Sequence, residues 1–482
     1  MPLLAVRSLD RPTRVLLGAT LVALAGCSGD GGPAQSLLPD GTGPGLSCYA
    51  NPNQSAPTDG ASVVTLDAAQ RFQTMQGFGT TERLFDDPHL TETFDPATNR
   101  GAAVIPAGEQ AKILDALYTD LGLTRMRVHP SDGGLIEPVN DNSDPNVADL
   151  TKFNFAWKNS DGYIALVKSV LPRGLTTFYG SPLGLEKWMN ESNPAEYAEW
   201  VFVLLRYWRD RGVEMPYYSL KNEPGWNPSG GVWSGAYLRD VTKILGARMK
   251  ADGMKTKIVV PDDLNATEAY SRLQTILGDP EARQYVGAIS YHMYGAGGEE
   301  KIAQLGAQYN VPIWMSEYST PDSWFDWAKL MQKLIADDGV SAVDYMWGYF
   351  GDWDRSQLVR ILVKNSAYAG FDFTRQYYVT GQYSKYVRPG AVRIAATSAD
   401  PEVKVAAFVD GAKVIVVATN VGSREHQMRV ELGSSAPCAQ KVDAVRTSDT
   451  ESWLALPQAS LDAPRFSATL PHGSVTTFVG HQ

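Results

Sequence analysis

The sequence has few of the residues on which metal and redox enzymes depend. Only 3 cysteines and 6 histidines occur among its 482 residues. No histidine lies in a His-Glu-x-x-His pattern, and neither a Gly-x-Ser-x-Gly elbow nor a Walker loop is present. No Gly-x-Gly-x-x-Gly follows a predicted strand either. These absences argue against zinc hydrolases, elbow-type serine hydrolases and nucleotide-binding folds, and we expect no metal and no cofactor.

Positive charge is also in deficit. Lys and Arg number 43 against 53 Asp and Glu, which gives a formal charge of −10. An acidic surface argues against nucleic acid or an anionic membrane surface as the main partner. Aromatic residues are plentiful, with 12 Trp and 22 Tyr. Such rings either stack on sugars or fill a core, so they favour carbohydrate binding only weakly, and we expect a monomer.

The N-terminal apolar run is too short to cross a membrane in the mature protein. It covers residues 15–25, well under the ~20 that a spanning helix needs, and follows three arginines. It ends in the tetrapeptide LAGC, which resembles a lipobox with Cys27 as the lipidated residue; a plain secretory signal is the alternative. We therefore expect a signal peptide over 1–27 and an exported protein, anchored to the cell envelope through Cys27 or secreted.

Two cysteines, Cys48 and Cys438, remain beyond the predicted signal peptide. An exported chain can form disulfides, so we predict a bond between them, with two free thiols as the alternative. A bond closing so long a loop stabilises by about 4–5 kcal/mol in the chain-entropy model. It would fasten the N-terminal segment to the C-terminal domain.

Residues 28–60 are rich in Gly, Pro, Ser and Asn and predict a flexible linker. Over 73–388, strand-like runs alternate with amphipathic helical stretches, which predicts an α/β fold. The predicted strands are 74–79, 124–128, 176–181, 217–222, 257–260, 288–291, 313–317 and 342–349. The predicted helices include 109–121, 196–211, 234–251, 268–277 and 326–336. Eight strands with helical crossovers favour a closed (β/α)8 barrel over an open sheet.

The last part of the chain has a different pattern. Over 389–482, short alternating runs are separated by Gly, Asn, Asp and Pro, which predicts a small antiparallel β-sandwich. The runs are 392–396, 403–409, 413–419, 427–431 and 475–480. The early segment 61–72 is also strand-like, and we expect it to add an N-terminal strand to this sandwich.

The tripeptide Asn222-Glu223-Pro224 follows the fourth predicted barrel strand. In barrels, this end of a strand carries the active site. Glu223 suits a general acid that protonates a glycosidic oxygen, and Asn222 suits a hydrogen bond to a sugar 2-hydroxyl. The alternative is a surface glutamate before a turn-forming proline.

Glu317 ends the seventh predicted strand, which is otherwise apolar. Burying a carboxylate there is costly unless it is paired or used. Carboxylates that face each other from strands four and seven suit a double displacement, with Glu317 as nucleophile and Glu223 as acid/base. A salt-bridged structural acid is the alternative for Glu317.

Together these motifs resemble those of retaining barrel glycosidases and, within them, glycoside hydrolase family 30. The more specific signals are MQGFG at 75–79, the SP pair at 181–182 with Trp188, and GQYSKYVRPGAVRI at 381–394. The resemblance covers nearly the whole chain from residue 62 onward. It implies a barrel with a β-sandwich from both ends of the chain, and an O-glycosyl hydrolase with the roles assigned above to Glu223 and Glu317.

Three features depart from the family pattern, and one of them is LGLEK at 183–187, which replaces the usual proline-rich stretch after strand three. Lys221 stands where the family usually has Gln before Asn-Glu-Pro, and we expect its side chain to point behind the strand. The loop at 351–360 does not match the arginine and tyrosine motif with which one branch recognises glucuronic acid. Arg355 in this loop either grips a carboxylate or is solvated and ion-paired.

Five further residues are candidates for substrate binding or for orienting the carboxylates. His292 and Tyr294 end the strand beside Glu317 and either keep it oriented and ionised or are structural. Arg127, at the end of strand two, either holds Glu317 as a carboxylate or packs in the core. The position of Trp347, by its equivalence to a position in the barrel glycosidases, implies a surface on which a sugar ring stacks. A core tryptophan is the alternative. Trp188 is predicted to contact sugar.

The sequence therefore predicts a retaining glycoside hydrolase that cleaves a β-linked polysaccharide. The joining motif resembles that of bacterial xylanases, so xylan or a β-1,6-glycan is the expected substrate. A catalytically silent, polysaccharide-binding surface lipoprotein is the alternative, because Lys221 and the altered loop after strand three depart from the pattern. Transglycosylation through the same intermediate is a third possibility.

Overall fold

A computed structural model describes most of the chain after the predicted linker. The described residues are 60–92, 103–131, 136–155, 159–226, 231–459, 461–462 and 464–482. The predicted signal peptide, the predicted lipidation site Cys27 and nearly all of the linker lie outside them. Cys438 is disulfide-bonded, whereas its predicted partner Cys48 lies outside the described residues. Within the described ranges, no helix is long and apolar enough to cross a membrane.

The first strand, β1 (Ser62–Thr74), belongs to a sheet discussed below, and the next eight described strands form a parallel barrel. Each pairs with the next along the chain, and the last pairs with both the seventh and the first, which closes the barrel. They are β2 (Gly77–Thr81), β3 (Arg125–Val128), β4 (Thr177–Gly180), β5 (Tyr217–Ser219), β6 (Lys257–Asp263), β7 (Val286–His292), β8 (Ile313–Glu317) and β9 (Ala342–Gly351). Glu223 thus follows the fourth barrel strand and Glu317 ends the seventh, as predicted.

Helices alternate with the barrel strands, and most begin at a residue that suits a helix N-terminus. Asn193, Ser234, Asn265 and Ser323 each accept a backbone N–H of the first turn on a side-chain oxygen. The helices are α1 (Ala107–Leu114), α2 (Asn159–Val170), α3 (Pro194–Asp210), α4 (Gly235–Ala251), α5 (Ala266–Gly278), α6 (Pro280–Arg283), α7 (Glu299–Tyr309), α8 (Trp324–Ala336) and α9 (Arg375–Ser384). A π-helical turn (Asp115–Asp120) extends α1, and 3-10 turns cover Pro88–Thr91, Leu150–Lys152 and Leu171–Arg173.

The segment after the eighth barrel strand differs from the prediction of a loop at 351–360. It enters strand β10 (Gln357–Lys364), which pairs in parallel with β9 and antiparallel with β11 (Ala367–Phe373). Asn365 and Ser366 both have positive φ, 49° and 60°, as a two-residue hairpin turn requires. The hairpin therefore extends the sheet beside the barrel mouth.

The second sheet is a β-sandwich made from both ends of the described chain. β1 lies inside it, antiparallel to β12 and parallel to β15, where Ser62 is opposite Met428. Since no hairpin joins β1 to β15, nothing forces that pair to be antiparallel. Its remaining strands are β12 (Val392–Ser398), β13 (Val403–Asp410), β14 (Lys413–Asn420), β15 (His426–Glu431), β16 (Lys441–Thr447), β17 (Leu454–Ala459), β18 (Leu461–Asp462), β19 (Arg465–Leu470) and β20 (Ser474–His481). The predicted barrel with a sandwich that includes an N-terminal strand is confirmed, although β16 to β19 were not predicted and one pair is parallel.

The segment 381–394 joins the two parts. Gln382 is fully buried and donates to Thr447 of the sandwich, while the Thr477 hydroxyl donates back to the Gln382 backbone oxygen at 2.6 Å. On α8, Gln332 donates to the Val405 backbone oxygen at 2.8 Å. Buried amides satisfied across the junction therefore hold the sandwich against the barrel helices.

Candidate active site

Glu223 and Glu317 meet at the carboxyl ends of the barrel strands. Glu317 is the last residue of β8, and Glu223 lies four residues after the end of β5. A carboxylate oxygen of each and a ring nitrogen of His292 all lie within 4.8 Å of one another. Glu223 is 4% and Glu317 5% exposed, so both side chains are almost fully shielded from solvent at the barrel mouth. The structure therefore brings the two predicted catalytic residues together.

The backbone beneath them adopts an uncommon conformation. Glu223 has φ 50°, and Asp262, the second-last residue of β6, has φ 62°. Both values lie in the left-handed region that residues other than glycine rarely adopt. The Glu223 N–H donates to the Asp262 backbone oxygen at 2.9 Å and so fixes the two turns to each other. Such backbone strain of about 1–3 kcal/mol per residue is common where a side chain must be held at a functional site.

His292 lies between the two glutamates. Its Nδ1 is 2.9 Å from Oε1 of Glu223 and 3.8 Å from Oε1 of Glu317, and its Nε2 is 3.4 Å from Oδ1 of Asp262. Burial alone would lower the pKa of His292, but the Glu317 charge and the nearby Asp262 and Glu223 carboxylates raise it to about 10. A raised pKa favours the imidazolium form, in which Nδ1–H donates to Glu223.

Glu317 is held as a carboxylate by three neighbours. Arg127 Nη1 donates to its Oε2, and the Tyr294 hydroxyl donates to Oε1 at 3.0 Å. Burial raises the pKa of Glu317, but His292, Arg127 and the Tyr294 hydroxyl outweigh it, so the pKa lies below its usual value. The sequence left two roles open for Arg127, and the structure shows one of them, the ion pair with Glu317.

Asp262 is the central residue that the sequence reasoning missed. It is fully buried and accepts hydrogen bonds from Ser181 (2.7 Å), Ser290 (2.9 Å), Ser316 (2.7 Å) and Arg127 Nη2 (3.2 Å). Although burial raises the pKa of Asp262, the Arg127 charge and these donors hold it well below the usual range. A carboxylate near the end of a buried strand, the signal that identified Glu317, was also present here.

Asn222 is oriented by the same network. Its Oδ1 accepts from Arg127 Nη2, and its backbone N–H donates to the Pro182 oxygen at 3.3 Å. Since the carbonyl of the side chain is engaged, the Nδ2 amide is the group left to donate to a ligand next to Glu223. This orientation fits the predicted bond to a sugar hydroxyl.

Lys221 points away from the cleft, as expected. Its side chain is buried behind the strand, where Nζ donates to the Gly231 backbone oxygen and lies 4.9 Å from the Trp233 ring. Burial lowers the pKa of Lys221 to about 8. Lys221, which departs from the family pattern, therefore holds the backbone at Gly231 in place. Its side chain does not point toward Glu223 or Glu317.

Trp347 lies on β9 and is 5% exposed. It stacks on Phe350 at 5.0 Å, with the Arg83 guanidinium 5.0 Å from its ring centre. The fully buried His129 lies edge-on at 6.4 Å, and its Nδ1 is 2.7 Å from the Ser181 backbone oxygen. Trp347 thus has an aromatic and a cationic neighbour inside the barrel mouth, and its role as a sugar platform stays a prediction.

Two other candidates lie apart from the carboxylate pair. Trp188 donates through Nε1 to the Glu137 backbone oxygen at 2.8 Å and borders a separate cleft of about 250 Å³. No hydrogen bond in the described residues joins it to Glu223 or Glu317. Arg355 is exposed and pairs with Asp322 at 3.0 Å, which is the ion-paired alternative for this residue.

Known proteins were then compared with the chain. No family model matches it. It is 23% identical over 477 residues to putative glucosylceramidase 1 of Caenorhabditis elegans, covering 87% of this chain and 83% of that protein. It is 25% identical over 303 residues to glucuronoxylanase XynC of Bacillus subtilis, covering 59% and 66%. It is 22% identical over 444 residues to endo-1,6-beta-D-glucanase of Neurospora crassa, covering 78% and 86%.

Solved structures are similar over most of the chain. The glycoside hydrolase family 30 subfamily 8 xylanase Xyn30A from Clostridium acetobutylicum has a TM-score of 0.67 at 24% identity, with 87% of this chain and 99% of that chain covered. The catalytic domain of the GH30 xylanase C from Talaromyces cellulolyticus has a TM-score of 0.70 at 21% identity, covering 87% and 100%. The endo-beta1,6-glucanase BT3312 has a TM-score of 0.65 at 18% identity, covering 88% and 95%. At such identities the likeness shows the fold alone, and that fold is the predicted one.

Proposed function

Starting from its confirmed resemblance to glycoside hydrolase family 30, we propose that this chain is a retaining O-glycosyl hydrolase that cleaves β-linked glycans. One observation carries the proposal: carboxylate oxygens of Glu223 and Glu317 lie within 4.8 Å of each other in the cleft. Retaining enzymes hold their two carboxyl groups about 5–5.5 Å apart, whereas inverting enzymes leave about 6.5–9.5 Å for a water molecule.

In the first step, Glu317 attacks the anomeric carbon of the sugar. Its depressed pKa keeps it ionised, and Arg127 and Tyr294 hold it in position. Glu223 donates a proton to the departing glycosidic oxygen as the C1–O bond breaks. Because Oε1 of Glu223 is engaged by His292, Oε2 is the oxygen that carries this proton. The product of the step is a glycosyl ester on Glu317.

In the second step, water hydrolyses that ester. Glu223, now a carboxylate, takes a proton from the water as the water oxygen bonds to C1 and the C1–O bond to Glu317 breaks. Two inversions at C1 give net retention. His292 Nδ1, 2.9 Å from Oε1 of Glu223, holds the Glu223 side chain in position during both steps.

For the substrate, we propose the backbone of a xylan or a β-1,6-linked glycan. This follows the activities named for its relatives, a glucuronoxylanase and endo-1,6-β-glucanases. Trp347 on β9 is the aromatic residue that we propose to contact a sugar ring at the barrel mouth. A panel of plant and fungal polysaccharides, with product lengths measured, identifies the substrate and separates endo from exo action.

The mechanism is tested by following the first product formed by the purified protein with proton NMR. We expect the β-anomer to appear before mutarotation, and Glu317→Gln to remove turnover while the circular dichroism spectrum is unchanged. The exposed Glu300→Gln is a matched control that should keep full activity. An α-anomer as first product contradicts retention, and full activity in a folded Glu317→Gln variant contradicts the nucleophile assignment.

The alternative of a catalytically silent polysaccharide-binding protein gives a different result in the same assays. It would bind a polysaccharide in the panel without releasing any product, and Glu317→Gln would then change nothing but affinity. Lys221, which motivated this alternative, points away from the cleft and no longer favours it. Transglycosylation would appear as products longer than the substrate.

We also propose that the protein is exported as a monomer and anchored through a lipid on Cys27, a residue outside the described part of the chain. Cys27→Ala should move the protein from the membrane fraction to the soluble fraction of the producing cell. Size-exclusion chromatography with light scattering measures the oligomeric state. Unchanged fractionation of Cys27→Ala would count against the anchor.

A further inference from the structure

A second group of carboxylates, two of them buried, lies where the loop after β3 meets helix α3. Asp141 belongs to the loop, while Glu196 and Glu199 lie on one face of the helix, three residues apart. One carboxylate oxygen of each residue lies within 4.8 Å of the other two. Glu196 is 2% and Glu199 4% exposed and Asp141 is half-buried, so three carboxyl groups share one small, mostly buried volume.

Three of the six carboxylate oxygens in this group lack a hydrogen-bond partner within the described part of the chain. Both carboxylate oxygens of Glu196 and Oε1 of Glu199 accept no hydrogen bond within the described part of the chain. A glutamate three residues after a helix N-cap commonly folds back onto the backbone N–H of the cap, and Glu196 does not. Buried carboxylate oxygens without a donor are costly, so a positively charged partner is expected.

No side chain in the described ranges supplies that partner. Arg248 of α4 is near enough to interact electrostatically with Glu199 and Glu196, but it forms no ion pair within 4.0 Å of either. Asp141 accepts only from neutral donors, which are Asn142 and the backbone N–H of Asp149. The group therefore has room for a cation that is not part of the chain.

We propose that Asp141, Glu196 and Glu199 bind a divalent cation, Ca²⁺ by preference, that ties the loop after β3 to helix α3. Calcium lies about 2.3–2.6 Å from its oxygen ligands, so oxygens on opposite sides of one ion are about 5 Å apart. Three oxygens within 4.8 Å of one another fit a single ion. The all-oxygen set suits Ca²⁺ or Mg²⁺ better than Zn²⁺, and Ca²⁺ accepts a more flexible coordination geometry than Mg²⁺.

Solvent reaches this group from two sides. Glu196 borders the cleft of about 250 Å³ that also contains Trp188. Glu199 borders a larger cleft of about 680 Å³ between the loop, α3 and α4. An ion can therefore enter, and water can complete its coordination shell. The same loop contacts the next one, since the Glu137 N–H donates to Glu186 at 2.9 Å, so the ion would stiffen two loops at the barrel rim.

The test uses the full chain, freed of metal with a chelator, and CaCl₂ as the probe. We expect calorimetric titration to give one Ca²⁺ per chain, and thermal unfolding to shift upward by about 3 °C at a hundredfold excess over the Kd. Glu196→Gln should remove both effects. Asp210→Asn, which removes an exposed charge about 21 Å along the same helix, is the matched control and should keep both.

The proposal is overturned if Ca²⁺ neither binds nor raises the melting temperature, or if it does so equally in Glu196→Gln. A proton shared between the carboxyl groups is the competing explanation and would give a chelator-insensitive protein that loses stability as pH rises. Should Glu196→Gln fail to fold, Glu199→Gln and the metal content of the purified wild type by mass spectrometry decide the question. None of these readouts depends on glycan hydrolysis, so the result is independent of the proposed function.

Discussion

A histidine lies between two carboxylates in two different parts of this molecule. At the barrel mouth, His292 is 2.9 and 3.8 Å from the proposed catalytic glutamates. In the β-sandwich, His426 is 2.8 Å from Asp400 and 3.0 Å from Glu402. The residue types and the distances are nearly the same, but the surroundings differ.

At the barrel mouth, the side chains of Glu223 and Glu317 are 5% and 7% exposed. In the sandwich, those of Asp400 and Glu402 are 20% and 43% exposed. Coulombic interactions grow as the effective dielectric constant falls, so the buried charges act strongly on each other while water screens the exposed ones. Similar residue triads therefore interact strongly at the barrel mouth and are partly screened by solvent in the sandwich.

The largest effect is expected at the acid/base. Glu223→Gln should lower kcat/KM on polysaccharide by about 10²–10⁴-fold, since the leaving oxygen is no longer protonated. On aryl glycosides with an acidic leaving group, the glycosylation step should lose far less. The measurement is kcat/KM on both substrates, with Glu402→Gln from the sandwich as control. Equal losses on both substrates would contradict the acid role.

A second large effect is expected at Asp262, which pairs with Arg127 inside the barrel. Asp262→Asn should lower the free energy of unfolding by about 3–5 kcal/mol, because it removes one of the two carboxylates that pair with the buried Arg127 guanidinium. Since the folded-state pKa of Asp262 is depressed, its contribution is present above the unfolded value near 4 and is lost as pH falls below it. Denaturant unfolding at pH 7 and pH 3 measures the loss in the free energy of unfolding and its dependence on pH. A variant as stable as wild type at pH 7 would show that the ion pair contributes little.

An intermediate effect is expected for His292→Asn. Without the imidazolium, the pKa of Glu317 should rise, because His292 is the largest of the contributions that lower it. The nucleophile must be ionised, so the acidic limb of the kcat/KM profile should move upward by about one pH unit, equivalent to about 1.4 kcal/mol. A structural role alone would lower activity at every pH and leave the limb in place.

The smallest effect is expected in the sandwich. Glu402→Gln removes one partner of His426, but the carboxylate is 43% exposed. Exposed ion pairs contribute about 0–1 kcal/mol, so the free energy of unfolding should change by less than 1 kcal/mol, with glycan hydrolysis unchanged. A fall of more than 2 kcal/mol in the free energy of unfolding would show that solvent exposure does not explain the difference between the two histidine clusters.

Much of the active site could be predicted because it follows a local rule. Glu223 and Glu317 each come directly after or at the end of a strand-like run, and the barrel brings those ends to one face. Asp262 obeys the same rule and was missed, since no neighbouring residue marked it as different from a turn aspartate. The hairpin β10–β11 was not predicted, because the start of β10 falls within the segment 351–360 that was interpreted as a loop.

The cluster of Asp141, Glu196 and Glu199 could not be predicted from the sequence pattern. Asp141 lies in a loop with many polar residues, and Glu196 is in the usual place for a capping-box glutamate. Only the packing of the loop on α3 shows that the carboxylates share one buried volume and that Glu196 does not cap its helix.

The amino-acid sequence alone determined the alternation of strands and helices, the second β-rich part and the two glutamates, because hydrophobic periodicity and strand-end position are local properties of the chain. The tertiary structure decided how charge is distributed around them. Whether a carboxylate is ionised depends on which cations and donors surround it and how much water they exclude. Those neighbours come from strands far apart in the chain and meet only when the barrel closes.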